Sequence, residues 1–160
     1  MNQVHIHLLI THLPIFGSIL GALVLLHGIG MRSNQTIIAA YYIFIVSSIG
    51  AGIAYFTGEG AEKSVENLQG VVEETIKQHE ESALFALISL IVLGLASIFG
   101  SFTAWTNSVH LRTTAFIVLF LSVISFGLVA RTGYLGGQIR HSEINVVGFP
   151  DSSFNNPESE

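Results

Sequence analysis

Four stretches of the chain stay apolar long enough to matter: Leu8–Leu26, Ile37–Phe56, Ala83–Trp105 and Thr114–Leu135. Each is close to the roughly 20 residues with which an α-helix crosses about 30 Å of hydrocarbon. The second and third hold no charged residue, the first holds only His12, and the fourth has Arg131 near its end. Helix is the form expected of all four, because lipid offers no hydrogen-bond partner to a bare peptide group. Pro14, inside the first span, lacks an N–H and predicts a kink there.

Two connections, Gly28–Thr36 and Thr106–Thr113, are short and join antiparallel neighbours. The middle one, Thr57–Ser82, is long and charged. Its second half, from Val71, reads as helix, with Val72, Ile76 and Ala83 near one face and Glu73, Glu74, Lys77 and Glu81 elsewhere. It is expected to run straight into the third span. The prediction is an all-α, integral membrane four-helix bundle, antiparallel and up-down, with a long charged loop between helices 2 and 3. One domain covers residues 1–144 and a flexible polar tail covers 145–160, where Pro150, Asp151 and Pro157 stand.

Composition agrees with a bilayer setting. Half of the 160 residues are apolar and 11% are charged, with a mean hydropathy of +0.62. Soluble chains carry about 25% charged residues. The first apolar run begins close to Met1 without a positive flank and exceeds a signal-peptide core, so it is expected to stay as an anchor. The absence of cysteine excludes disulfides, thiolate metal sites and covalent c-type haem attachment. A net charge of −5 with no basic cluster does not suit nucleic-acid binding.

With four spans, both termini and the long loop share one side, and all 11 Asp and Glu residues lie there. His5, His7, His12, His79 and His141 belong to that side, whereas His27 and His110 flank the other. No Lys or Arg precedes the first helix and Arg32 follows it, which favours an extracytoplasmic His-rich rim. A plain count of Lys63, Lys77, Arg131 and Arg140 on the His-rich side runs the other way.

His12, about one turn inside the first span, is expected to face the bundle interior, as ionisable groups at that depth do. His5 shares its face, while His7 is rotated by about 140°. His79 precedes the third span by one turn, and His141 follows the fourth. Small residues stand beside them: Ala83 and Ala86 on the third helix, Gly133 and Gly137 on the fourth, Gly17 and Gly21 on the first. Such seams let helices pack closely. They also leave room for a flat macrocycle between two imidazoles. A b-type haem needs two axial imidazoles and partners for its propionates, for which Arg140, Arg131 and Tyr134 are candidates. Spacing alone does not choose the pair. The plainer readings are interfacial histidines, packing seams and a solvated acidic loop.

Three segments resemble a known family. They are His7-Leu-Leu-Ile-Thr-His12-Leu-Pro14-Ile, then Thr57-Gly-Glu-Gly-Ala-Glu62 followed by Gly70 and His79-Glu-Glu-Ser-Ala83, and Thr132-Gly-Tyr-Leu-Gly136-Gly137-Gln-Ile-Arg-His141. In this order they resemble the bacterial domain-of-unknown-function 2231 family of small four-helix membrane proteins, over the chain from His7 to Glu143. Gly60 departs from it, because related sequences often carry proline there. The resemblance implies the four-helix fold, a bacterial inner-membrane location and, through attachment of some members to cytochrome-like modules, a haem-carrying redox role. Carried over by position, its histidines are His7, His12, His79 and His141.

The function expected is therefore a small b-type-cytochrome-like membrane protein for electron transport, rather than a stand-alone enzyme. His12, His79 and His141 would supply two axial ligands and a group hydrogen-bonded to one of them, with His7 in reserve. Two rivals remain: a non-haem copper, zinc or iron site on the same four histidines with Glu62 or Glu80, and a non-redox docking or transport subunit. Expected partners are the lipid bilayer, a cytochrome or other redox protein, and a second copy of the chain through its glycine-rich faces.

Overall fold

A computed structural model describes the backbone of residues 3–65 and 73–146 and the side chains of residues 5–60 and 73–138. From residue 147 on, the expected tail lies outside the described residues. The regular structure among the described residues is entirely helical: α1 (Gln3–Ile10), α2 (His12–Gly30), α3 (Asn34–Val65), α4 (Glu73–Trp105) and α5 (Leu111–Val146). Four helical segments are long and apolar enough to cross a membrane: His5–Gly30, Asn34–Gly60, Glu73–Trp105 and Leu111–Gln138. These contain the four spans expected from the sequence.

α1 and α2 are one apolar rod with a fault at Thr11. The Thr11 N–H still donates to the His7 carbonyl at 3.0 Å. Pro14 has no N–H for the Ile10 carbonyl four residues back, so the ladder is interrupted there. α4 begins at Glu73 and runs unbroken through the third span, as the pattern after Val71 predicts. The charged connection differs from expectation on its other side. α3 continues through Gly58 and Gly60 to Val65, so most of Thr57–Ser82 is helix. Helix-favouring Ala61, Glu62 and Lys63 offset those two glycines.

The two short connections are built alike. Arg32 and Asn107 take left-handed backbone conformations, with φ of 55° and 47°. The next amide in each case reaches back five residues: Ser33 to the Gly28 carbonyl at 2.9 Å, Ser108 to the Thr103 carbonyl at 3.0 Å. These are Schellman caps, which satisfy carbonyls that a helix end leaves open. The Asn34 amide donates to the Asn107 side chain at 2.8 Å and ties one connection to the other.

The helices contact in a ring, α2 on α3, α3 on α4, α4 on α5 and α5 on α2, while α1 lies on α3. Bulky apolar side chains point outward, among them Leu9, Leu23, Phe56, Phe85, Leu95 and Phe120. Small and hydroxylic residues point inward around Leu25, Tyr41, Phe44, Leu90, Leu93 and Val118. That inversion of the water-soluble pattern suits lipid contact, where burial of apolar surface gives no drive and close packing does the work. Gly21 and Gly100 make the approach possible. A Cβ on Gly21 would lie 2.5 Å from Phe44 Cε1, and one on Gly100 would lie 2.6 Å from Tyr41 Cζ.

Candidate functional site

α1 brings His7 against the C-terminal part of α3. Its Nδ1 lies 2.9 Å from the Ala54 carbonyl oxygen. A carbonyl only accepts, so Nδ1 carries the proton and the neutral ring keeps its lone pair on Nε2. Thr57 Oγ1 is 3.4 Å from the same nitrogen and donates to the carbonyls of Ile53 and Ala54 at 2.9 and 3.1 Å. Gly58 faces the ring, where a Cβ would make only ordinary contact, 3.5 Å from His7 Cε1.

α4 presents His79 to α5 in the same manner. His79 Nδ1 is 3.0 Å from the Thr132 carbonyl oxygen, which again makes Nδ1 the donor and leaves Nε2 as the accepting nitrogen. The imidazole rests on Gly136, where a Cβ would fall 3.1 Å from Cε1 and 3.3 Å from Nδ1. Ser82, one turn further, holds the two helices in register. Thr132 Oγ1 donates to the Leu128 carbonyl at 3.0 Å, so Ser82 Oγ is the donor in its 2.9 Å bond to Thr132 Oγ1.

Both imidazoles are half-buried. One histidine of α1 and one of α4 are thus each anchored to a neighbouring helix through Nδ1. Among the described residues, no group of three or more His, Asp or Glu side chains comes together as a metal-ion site would require.

His12 is placed differently from the expectation that it faces the interior. It is exposed, its Nδ1 donates to Leu8 of its own helix at 2.8 Å, and its ring stacks on Phe16 at 6.3 Å and 15°. The five-residue step from His7 accounts for this. It turns the side chain by about 140°, and the inner face of this rod is taken by His7, Pro14, Gly17, Ser18 and Gly21. His5 is exposed near the chain start, and His27 and His110 are exposed at the opposite end.

The other expected site residues divide in the same way. Arg131 and Tyr134 are exposed on α5. Gly133 faces Ile15 at 3.3 Å, and Gly137 has open space, so Gly136 is the glycine against an imidazole. The side chains of Arg140, His141 and Glu62 lie outside the described residues. Residues that sequence reasoning did not single out are the carbonyls of Ala54 and Thr132 and the side chains of Thr57, Ser82 and Thr132. The hint in the sequence was that Thr57, Ser82 and Thr132 all stand in the segments that carry the family resemblance. Comparison with protein-family models, with curated proteins and with solved structures finds no match to this chain.

Proposed function

We propose that the protein is a small membrane cytochrome of b type, an electron carrier whose haem lies at the histidine-rich rim between His7 and His79. The observation that carries this reading is the matched pair of Nδ1–H to carbonyl hydrogen bonds, on Ala54 and on Thr132. Metal-ligating histidines almost always donate their other N–H to such an acceptor, which sets the tautomer, orients the ring and raises ligand basicity. The donor set fits haem, which asks for two imidazoles. It fits a closed metal-ion site less well, since that needs three or four ligands and the described residues bring no such group together. When bound, haem supplies one-electron chemistry at this rim. The chain's own residues would hold the two ring planes, leave Nε2 as the free nitrogen of each neutral ring and clamp α4 to α5 through Ser82 and Thr132. His141, Arg140, Arg131 and Tyr134 keep the roles assigned from sequence: a further ligand or a group hydrogen-bonded to one, and partners for the propionates.

The reading includes an antiparallel up-down bundle in a bacterial cytoplasmic membrane, with the histidine-rich face extracytoplasmic and a cytochrome or other redox protein as partner. It is tested by the absorption spectrum of the detergent-purified protein made with haem in supply, oxidised and then dithionite-reduced, with metal analysis of the same sample. Sharp reduced-state α and β bands with one iron per chain are expected. Stoichiometric copper or zinc without those bands would replace haem by a metal-ion site. No chromophore and no metal would leave a docking or transport subunit.

A further inference from the structure

The half of the bundle away from the histidines has an interior of hydroxyls. Ser18, Ser47, Ser97 and Ser122 are fully buried, and Ser101 and Thr103 nearly so. After Leu93, every buried residue of α4 is small: Gly94, Ser97, Gly100, Ser101, Thr103 and Ala104. Such a stripe alone is a packing device. Tyr41 makes it more than that.

Tyr41 is fully buried, and among the described residues its phenolic oxygen has no hydrogen-bond partner. The oxygen is aimed into the stripe, 3.0 Å from where a Cβ of Gly100 would stand. The neighbouring hydroxyls cannot rotate to it without loss. Ser97 donates to Leu93, Ser101 to Ser97 and Thr103 to Gly100, all to main-chain carbonyls of their own helix at 2.7–2.9 Å. Each of these oxygens still has lone pairs to offer. A buried hydroxyl left unpaired costs about 1–3 kcal/mol, whereas a buried water typically makes about three hydrogen bonds to such groups.

We propose that Tyr41 binds a water inside the bundle, and that the hydroxyl column of α4 is the route by which water, and with it protons, reach this point from the rim of the short connections. The column starts at Thr103, beside the Asn107 turn, and passes Gly100 and Ser97. Apolar Ala51, Ala86, Leu90 and Val129 and the hydroxyl-bearing Ser125 are also buried in the bundle.

Water-edited solid-state NMR on proteoliposomes, with tyrosine rings labelled at Cζ, reads this directly. The Tyr41 signal is the one lost in Tyr41→Phe. Its polarisation from water is expected to build up about as fast as that of exposed Tyr134, and Ser101→Val, which removes the hydroxyl within the column, is expected to slow it severalfold. A Tyr41 build-up as slow as that of Leu90 methyls would overturn the bound water. A fast build-up unchanged by Ser101→Val would overturn the column as its route. A variant that fails to fold is recognised by loss of the remaining tyrosine signals, and Ser97→Ala, a smaller change in the same column, then takes its place. The experiment needs no haem, so its outcome is independent of the cytochrome reading.

Discussion

The two halves of this bundle use polar side chains in opposite ways. At the histidine end, His7, His79 and Ser82 each reach a neighbouring helix, on Ala54, on the Thr132 carbonyl and on the Thr132 hydroxyl. In the interior of the other half, Ser97, Ser101, Thr103 and Ser122 all bond back to their own helices. A hydroxyl bonded within its helix satisfies itself and leaves the neighbour free to slide. An imidazole or hydroxyl bonded across helices fixes the register of two elements and the direction of its free nitrogen. The first half is therefore held in register by bonds across helices, and the second packs closely around hydroxyls that are satisfied within their own helices.

Substitutions can break that contrast in graded fashion. The largest stability loss is expected from Leu93→Ala, since Leu93 is fully buried between the halves and removal of such a side chain costs about 2–5 kcal/mol. Denaturation in detergent followed by circular dichroism measures it. Gly21→Ala comes next. Its Cβ would press on Phe44, and overpacking of this kind costs about 1–3 kcal/mol. At the histidine end, Gly136→Ala is expected to disturb His79 and weaken haem retention by about tenfold, the usual scale for changes to the groups that orient a ligand. Gly58→Ala, at ordinary contact distance from His7, should leave retention unchanged in the same haem-transfer assay. The smallest effect separates the halves most finely. Ser82→Ala removes a bond across helices, worth about 0.6 kcal/mol on average in membrane proteins, whereas Ser122→Ala removes only a bond within α5 and should be near neutral.

Much of this was legible in the sequence. The four spans followed from apolar length alone, and the α4 start followed from the helical pattern after Val71. What the pattern could not supply was rotation. His7 and His12 are both on the first rod, and depth alone pointed to His12 as the inward one. The close packing of Pro14, Gly17, Ser18 and Gly21 against the other helices sets which way that rod turns, and this turns His7 in and His12 out. The extension of α3 through Gly58 and Gly60 escaped notice because glycine and charge read as loop, although the intervening residues favour helix. Backbone acceptors such as the Ala54 and Thr132 carbonyls leave no mark on residue identity, so the anchoring of the two imidazoles could only come from the fold.

The central claim is that His7 and His79, and not the exposed His12, hold the cofactor. Reduced-minus-oxidised spectra of His7→Ala, His79→Ala and His12→Ala, purified side by side with haem in supply, test it most directly. The account predicts that the first two lose the sharp α band while His12→Ala keeps it at full intensity. An α band that survives in His7→Ala and vanishes in His12→Ala would contradict it and return the ligand role to the outward-facing ring.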